Sequence, residues 1–69
     1  MSVARITEIS STSPQSFEEA IQQGIARATK PLRGVKSAWI KEQRVEVSEG
    51  AITTYQVNLL ITFVLEEEA

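Results

Sequence analysis

The stretch TTYQVNLLITFVL, residues 53 to 65, decides how the rest of this 69-residue chain must be arranged. Tyr55, Val57, Leu59, Ile61, Phe63 and Leu65 form one unbroken apolar face, while Thr54, Gln56, Asn58 and Thr62 fall on the other with Leu60 and Val64 among them. Alternation with period two is the pattern of a strand, whose successive side chains point to opposite sides of a sheet. The wholly apolar face needs a cover, and the mixed face carries two aliphatic residues that a solvated surface does not need.

The cover lies upstream. Phe17, Ala20, Ile21, Gly24, Ile25, Ala28 and Leu32 follow the i, i+3, i+4, i+7 spacing of one helical stripe, and Glu19, Gln22, Gln23 and Arg27 fall opposite, which predicts an amphipathic helix of about five turns. Thr12-Ser13-Pro14-Gln15 offers a hydroxyl N-cap with Pro in the first turn, and Glu18 and Glu19 sit near the positive end of the helix dipole. Gly24, inside the apolar stripe, costs roughly 1 kcal/mol of helix propensity relative to Ala. Its presence predicts that the sheet packs close against the helix backbone there. Pro31 disfavours helical geometry at Lys30, so the last turn ends early or kinks before Gly34 caps the segment.

Two further strands complete the element list. Val3 to Ile9, with Val, Ile and Thr, reads as the first. Val35 to Val47 reads as the second, joined to the last strand, Ile52 to Leu65, through Ser48-Glu49-Gly50-Ala51, a hairpin turn with Gly where φ is positive. In the order β-α-β-β, a right-handed crossover through the helix sets the second strand parallel to the first. The third runs antiparallel to both and fits between them. The predicted fold is therefore α+β: a three-stranded, antiparallel-type sheet in order 1-3-2, packed on one amphipathic helix, with residues 1–69 forming a single domain.

Bulk properties narrow the chemistry. The chain has no Cys and no His, which removes disulfides, Cys/His zinc sites, thiol nucleophiles and imidazole proton transfer, and so argues against an enzyme. The net charge is -2 without a basic cluster, which disfavours nucleic acid as a partner. The longest uninterrupted apolar runs, such as Leu59-Leu60-Ile61, are far below a membrane span, and no signal-peptide pattern opens the chain. A soluble, cytoplasmic protein with no membrane partner is expected. Glu66-Glu67-Glu68 reads as a solvated tail.

So small a domain buries only about 60% of its unfolded surface. Three strands and one helix without disulfide or metal rarely supply more than about 3 to 5 kcal/mol. Oligomerisation is the remaining device, and its footprint is expected at Trp39, Leu60 and Val64, the apolar residues on the face that the helix leaves bare.

With the strand, the TSPQSFEEAIQQGIARA helix, the VKSAWIKEQ strand and the YQVNLLITFVL strand in this order, the chain resembles the dodecins over essentially its whole length. The resemblance implies a homododecameric, hollow shell of β-α-β-β protomers that binds a flavin, FMN or riboflavin, at interfaces between protomers, for cofactor storage and photoprotection. In flavin-binding members a Trp of the second strand stacks on the isoalloxazine ring and a Gln of the last strand hydrogen-bonds its polar edge. Gln56, in YQV, matches that Gln. Counted without gaps, the stacking position falls on Ser37, with Trp39 two residues further along. Arg44 matches a position that is basic in some FMN-binding members, with a surface salt bridge to Glu42 or Glu46 as the other reading, and Val64 stands where some of those members have a second Arg. Members lacking that Trp include some associated with calcium, which gives the alternative of a structural or calcium-binding shell.

Period two puts Ser37 and Trp39 on the open face with Gln56. Trp39 is then either an aromatic platform for a flat ligand or an anchor between protomers. Gln56 has the donors and acceptors to read a flavin edge, or it is a solvated polar residue of the strand. If Glu49-Gly50 is a two-residue turn, Ser48 pairs with Ala51, Trp39 lies opposite Leu60 and Gln43 lies opposite Gln56. Trp39 and Gln56 then stand about 13 Å apart along the strands, so one ring would need them from different protomers. The same pairing puts Val45 and Val47 on the polar face and Glu42 and Arg44 on the helix side, a reversal that predicts a β-bulge near residues 42 to 44.

Overall fold

The structure, a computed structural model, describes residues 3–65, and the acidic run Glu66-Glu67-Glu68 lies outside them. The elements follow in the expected order: β1 (Ala4–Ser13), α1 (Phe17–Ala28), β2 (Val35–Ser48) and β3 (Ala51–Val64). They form one sheet in the order β1-β3-β2, with β3 antiparallel to both neighbours. The most apolar strand takes the centre, where both of its edges are paired.

The helix lays its stripe across β1 and β3 and leaves β2 largely uncovered. Ala20, Val57, Leu59 and Ile61 are buried to within 1% of completely, with Ile9, Phe17 and Ile21 packed round them. Phe17 meets Tyr55 edge to face, with ring centroids 5.1 Å apart at 77°. Gly24 is the point of closest approach, as its place in the stripe predicts. A Cβ there would stand 3.0 Å from Cβ of Ser11 and 3.1 Å from Cδ1 of Leu59.

Most strand ends differ from the sequence reading by one residue, and three boundaries differ in ways that matter to the packing. β1 runs four residues past Ile9, through Ser10-Ser11-Thr12-Ser13, each paired with β3, and Ser11 is small enough for the narrow space under the helix at Gly24. Ser11 pairs with Val57, and its Oγ donates to the Ala20 carbonyl at 2.7 Å. The N-cap is accordingly Ser16 rather than a residue of 12–15. Ser13 is buried at the end of β1, where its hydroxyl accepts from the Gln15 amide at 3.0 Å. Ser16, with extended backbone, accepts from the Glu19 amide at 3.0 Å. The helix ends at Ala28, capped by Thr29, and is twelve residues long instead of five turns. Pro31 ends the geometry early, although Leu32 continues the apolar spacing.

The hairpin turn has φ of 50° at Glu49 and 79° at Gly50, the double positive φ of a type I′ turn. Ser48 pairs with Ala51 and Trp39 with Leu60, both as expected, but between them the ladder from Glu42 to Glu46 is out of step with that register. Lys41 has no partner across the ladder, and neither has Thr53 or Lys36. The unpaired Lys41 moves Gln43 opposite Val57 and Arg44 opposite Gln56, and the unpaired Thr53 restores the original register before the turn. The expected bulge therefore exists, just before residues 42 to 44. It returns Val45 to the side of Tyr55 and brings Glu42 and Arg44 onto the open face.

Candidate functional site

The face of the sheet turned away from the helix carries all four residues named from the sequence. At one end Ser37 lies opposite Thr62 and Trp39 opposite Leu60, whose other neighbour is Glu8. At the other end Gln56 is flanked by Thr12 of β1 and Arg44 of β2. The four residues form two pairs. Ser37 with Trp39, and Arg44 with Gln56, are local neighbours, while Trp39 and Gln56 are four residues apart along β3, about 13 Å. The bulge at Lys41 is what joins Arg44 to Gln56 as a direct cross-strand pair, with Cβ atoms about 5 Å apart.

Trp39 is 46% exposed, in a molecule whose core leaves it no room: the helix occupies the other face. Ile6, 56% exposed, shares the open face through its pairing with Thr62. Trp39, Leu60 and Ile6 thus make an apolar strip at one end of this face. The other end is polar. Gln56 Nε2 donates to Ser10 Oγ at 3.1 Å and to Asn58 Oδ1 at 3.3 Å, and Asn58 Nδ2 donates to Glu42 Oε1 at 3.1 Å. This chain of amides crosses all three strands. It holds the Gln56 side chain in one orientation, with both amide hydrogens engaged and Oε1 accepting nothing from the described residues.

Between the two ends, Lys41 reaches over β3 to Glu8, Nζ to Oε1 at 3.4 Å. Both side chains are about half exposed, so this pair contributes at most about 1 kcal/mol. Ser10, Glu8 and Glu42 were missing from the sequence reading of the site. The β1 boundary at Ile9 hid Ser10, and the uninterrupted register put Glu42 on the wrong side; only the reversed polarity of residues 42 to 47 signalled its true place.

A groove of about 770 Å³ lies elsewhere, along the edge of β1 against α1. Arg5, Ile9, Arg27, Leu32 and Phe63 are among its walls, and none of the four candidate residues is. The flat open face has the aromatic and amide groups suited to a planar ligand, so the candidate site is placed there. Among the described residues no group of three or more Asp and Glu is gathered to hold a metal ion, and no helix is long and apolar enough to cross a membrane.

A three-stranded sheet in this order, with the helix on one face and a tryptophan-bearing surface bare on the other, defines a class of small α+β proteins with one open sheet face. Comparison with known proteins gives the class its family. The dodecin family model matches residues 3–66. The dodecin of Thermus thermophilus is 40% identical over 65 residues, 94% of each chain. The calcium dodecin of Mycobacterium tuberculosis is 32% identical over 63 residues, 91% of this chain and 89% of its own. A crystal structure of an arginine-to-alanine variant of the T. thermophilus dodecin superposes with a TM-score of 0.90 at 38% identity, covering 99% of this chain and 100% of its own. The chain belongs to the dodecin family.

Proposed function

We propose that this protein is a homododecameric, cytoplasmic flavin-binding shell that stores and buffers the cofactor and limits its photochemistry, without enzymatic activity. The observation that carries the reading is Trp39, half-exposed on the bare sheet face that also presents the oriented Gln56 amide. Stacking on an aromatic face contributes roughly 0.5 to 1.5 kcal/mol beyond area burial. The 13 Å between the two residues requires Trp39 from one protomer and Gln56 from another, so flavin and assembly are linked. Gln56 Oε1 accepts from the ring's N–H. Arg44, beside it, faces the phosphate of FMN, while Ser37 leaves space where an aromatic residue would narrow the site.

Fluorescence titration of FMN with the purified protein tests this directly. Stacking on Trp39 is expected to quench the emission with saturation, and undiminished emission at a large excess of protein would overturn the reading. A second reading, a structural or calcium-binding shell in which Trp39 anchors protomers, is favoured by Ser37 and by the calcium dodecin relative. Its oxygen ligands would include Glu42 and Asn58 from more than one protomer, since no single protomer gathers a set among the described residues.

A further inference from the structure

On the open face, Asn58 and Gln56 stand in neighbouring rows of the sheet. Asn58 lies between Glu42 of β2 and Ser10 of β1, and Gln56 lies between Arg44 and Thr12. Three hydrogen bonds join the rows, all running one way. Gln56 Nε2 donates to Ser10 Oγ at 3.1 Å and to Asn58 Oδ1 at 3.3 Å, and Asn58 Nδ2 donates to Glu42 Oε1 at 3.1 Å.

A primary amide turned end for end keeps its shape while exchanging donor for acceptor, so the direction of such a chain is set by the groups at its ends. The Ser10 hydroxyl can donate or accept, whereas the Glu42 carboxylate only accepts. Turning Asn58 over would bring its Oδ1 against Glu42 Oε1, two acceptors across the 3.1 Å that a hydrogen bond now spans. Asn58 therefore keeps Nδ2 toward Glu42 and Oδ1 toward Gln56. Gln56 answers with Nε2, which leaves its Oε1 facing out as an acceptor.

We propose that Glu42, acting through Asn58, fixes the polarity of Gln56 and so makes the open face selective for planar ligands whose edge carries an N–H donor. The imide edge of a flavin qualifies, and the same ring with that hydrogen replaced by a methyl group does not. A fixed acceptor that finds no donor loses its hydrogen bond to water and gains nothing in return. Glu42 and Asn58 are positioning residues, since they act on the ligand only through Gln56. The inference rests on the flavin reading above for the ligand, and on the Glu42–Asn58 pair for the selectivity.

Riboflavin and riboflavin methylated at the imide nitrogen are the probes, each titrated by fluorescence against wild type, Glu42→Gln and Glu42→Lys. Wild-type protein is expected to prefer riboflavin about tenfold or more. In Glu42→Gln the end group both donates and accepts, so the preference should fall at least about threefold, and in Glu42→Lys, a donor only, it should fall further. The bulk of the methyl group is common to all three proteins, and damage to the fold would weaken both ligands alike. No preference in the wild type, or an unchanged preference in either variant, would overturn the proposal. If neither compound binds, the flavin reading falls, and the ligand-free protein still decides the relay. In nitrogen–proton correlation spectra, Glu42→Lys should move the Gln56 side-chain amide protons upfield as their hydrogen bonds are lost, and signals left at their wild-type positions would refute the role of Glu42.

Discussion

At the scale of single residues, the three glycines do three different jobs. Gly50 has φ of 79° with open space around it, so only backbone strain opposes a side chain there. Gly34 combines φ of 72° with a backbone neighbour: a Cβ would stand 2.7 Å from the Val64 carbonyl oxygen, and the Gly34 carbonyl accepts from the Val64 amide at 2.9 Å. Gly50→Ala is expected to cost about 1 kcal/mol and Gly34→Ala at least about 2 to 3 kcal/mol, because the second cannot relieve its overlap without moving the β3 backbone. Urea unfolding at one fixed protein concentration measures both, and equal costs would refute the distinction. Gly24 differs again, having an ordinary helical conformation and needing only the absence of a side chain. Its stripe position revealed that need in the sequence, whereas the close contact at Gly34 depends on a strand thirty residues away.

At the scale of elements, periodicity carried most of the reading and local chemistry limited it. The helix was legible from its stripe, yet the stripe runs on through Leu32, past the point where Pro31 has already ended the helix. The serines and threonine at 10–13 have turn-like chemistry, and a partner strand overrides it by pairing each of them. The fold, with its central β3, was legible for the same reason that Trp39 fell opposite Leu60: both follow from one apolar face and one turn. The partner of Gln56 was not, since an unpaired Lys41 leaves no mark on composition beyond the reversed polarity that follows it. This register gives a specific expectation. Arg44→Ala should weaken FMN binding about tenfold or more while leaving riboflavin unchanged, since a charged hydrogen bond contributes roughly 1.5 to 3 kcal/mol. Gln43→Ala, on the other face, should change neither, and paired titrations with the two flavins report the difference.

At the scale of the whole molecule, the protomer is too long for its size. Its radius of gyration is 14.5 Å and its extents are 57 × 19 × 13 Å, against a radius of about 11 Å for a compact chain of this length. The excess is the hairpin arm and the bare sheet face, surfaces that expose Ile6, Trp39, Val47 and Ile52. The assembly proposed above would add to the stability of a protomer with so few buried side chains, so the midpoint of thermal unfolding should rise with protein concentration. Differential scanning calorimetry over a hundredfold dilution checks this, and a constant midpoint would mean that the isolated protomer is self-sufficient.

The three unpaired residues, Lys36, Lys41 and Thr53, have a consequence for how the chain tolerates changes of length. Removing any one of them leaves every remaining cross-strand partnership intact, whereas losing a paired residue elsewhere in the β2–β3 hairpin forces a slip that turns the following side chains inside out. Deletions should therefore be accepted at these sites and resisted between them. The hairpin can be shortened by Lys41 and Thr53 together, one residue from each strand, without a single pair changing hands.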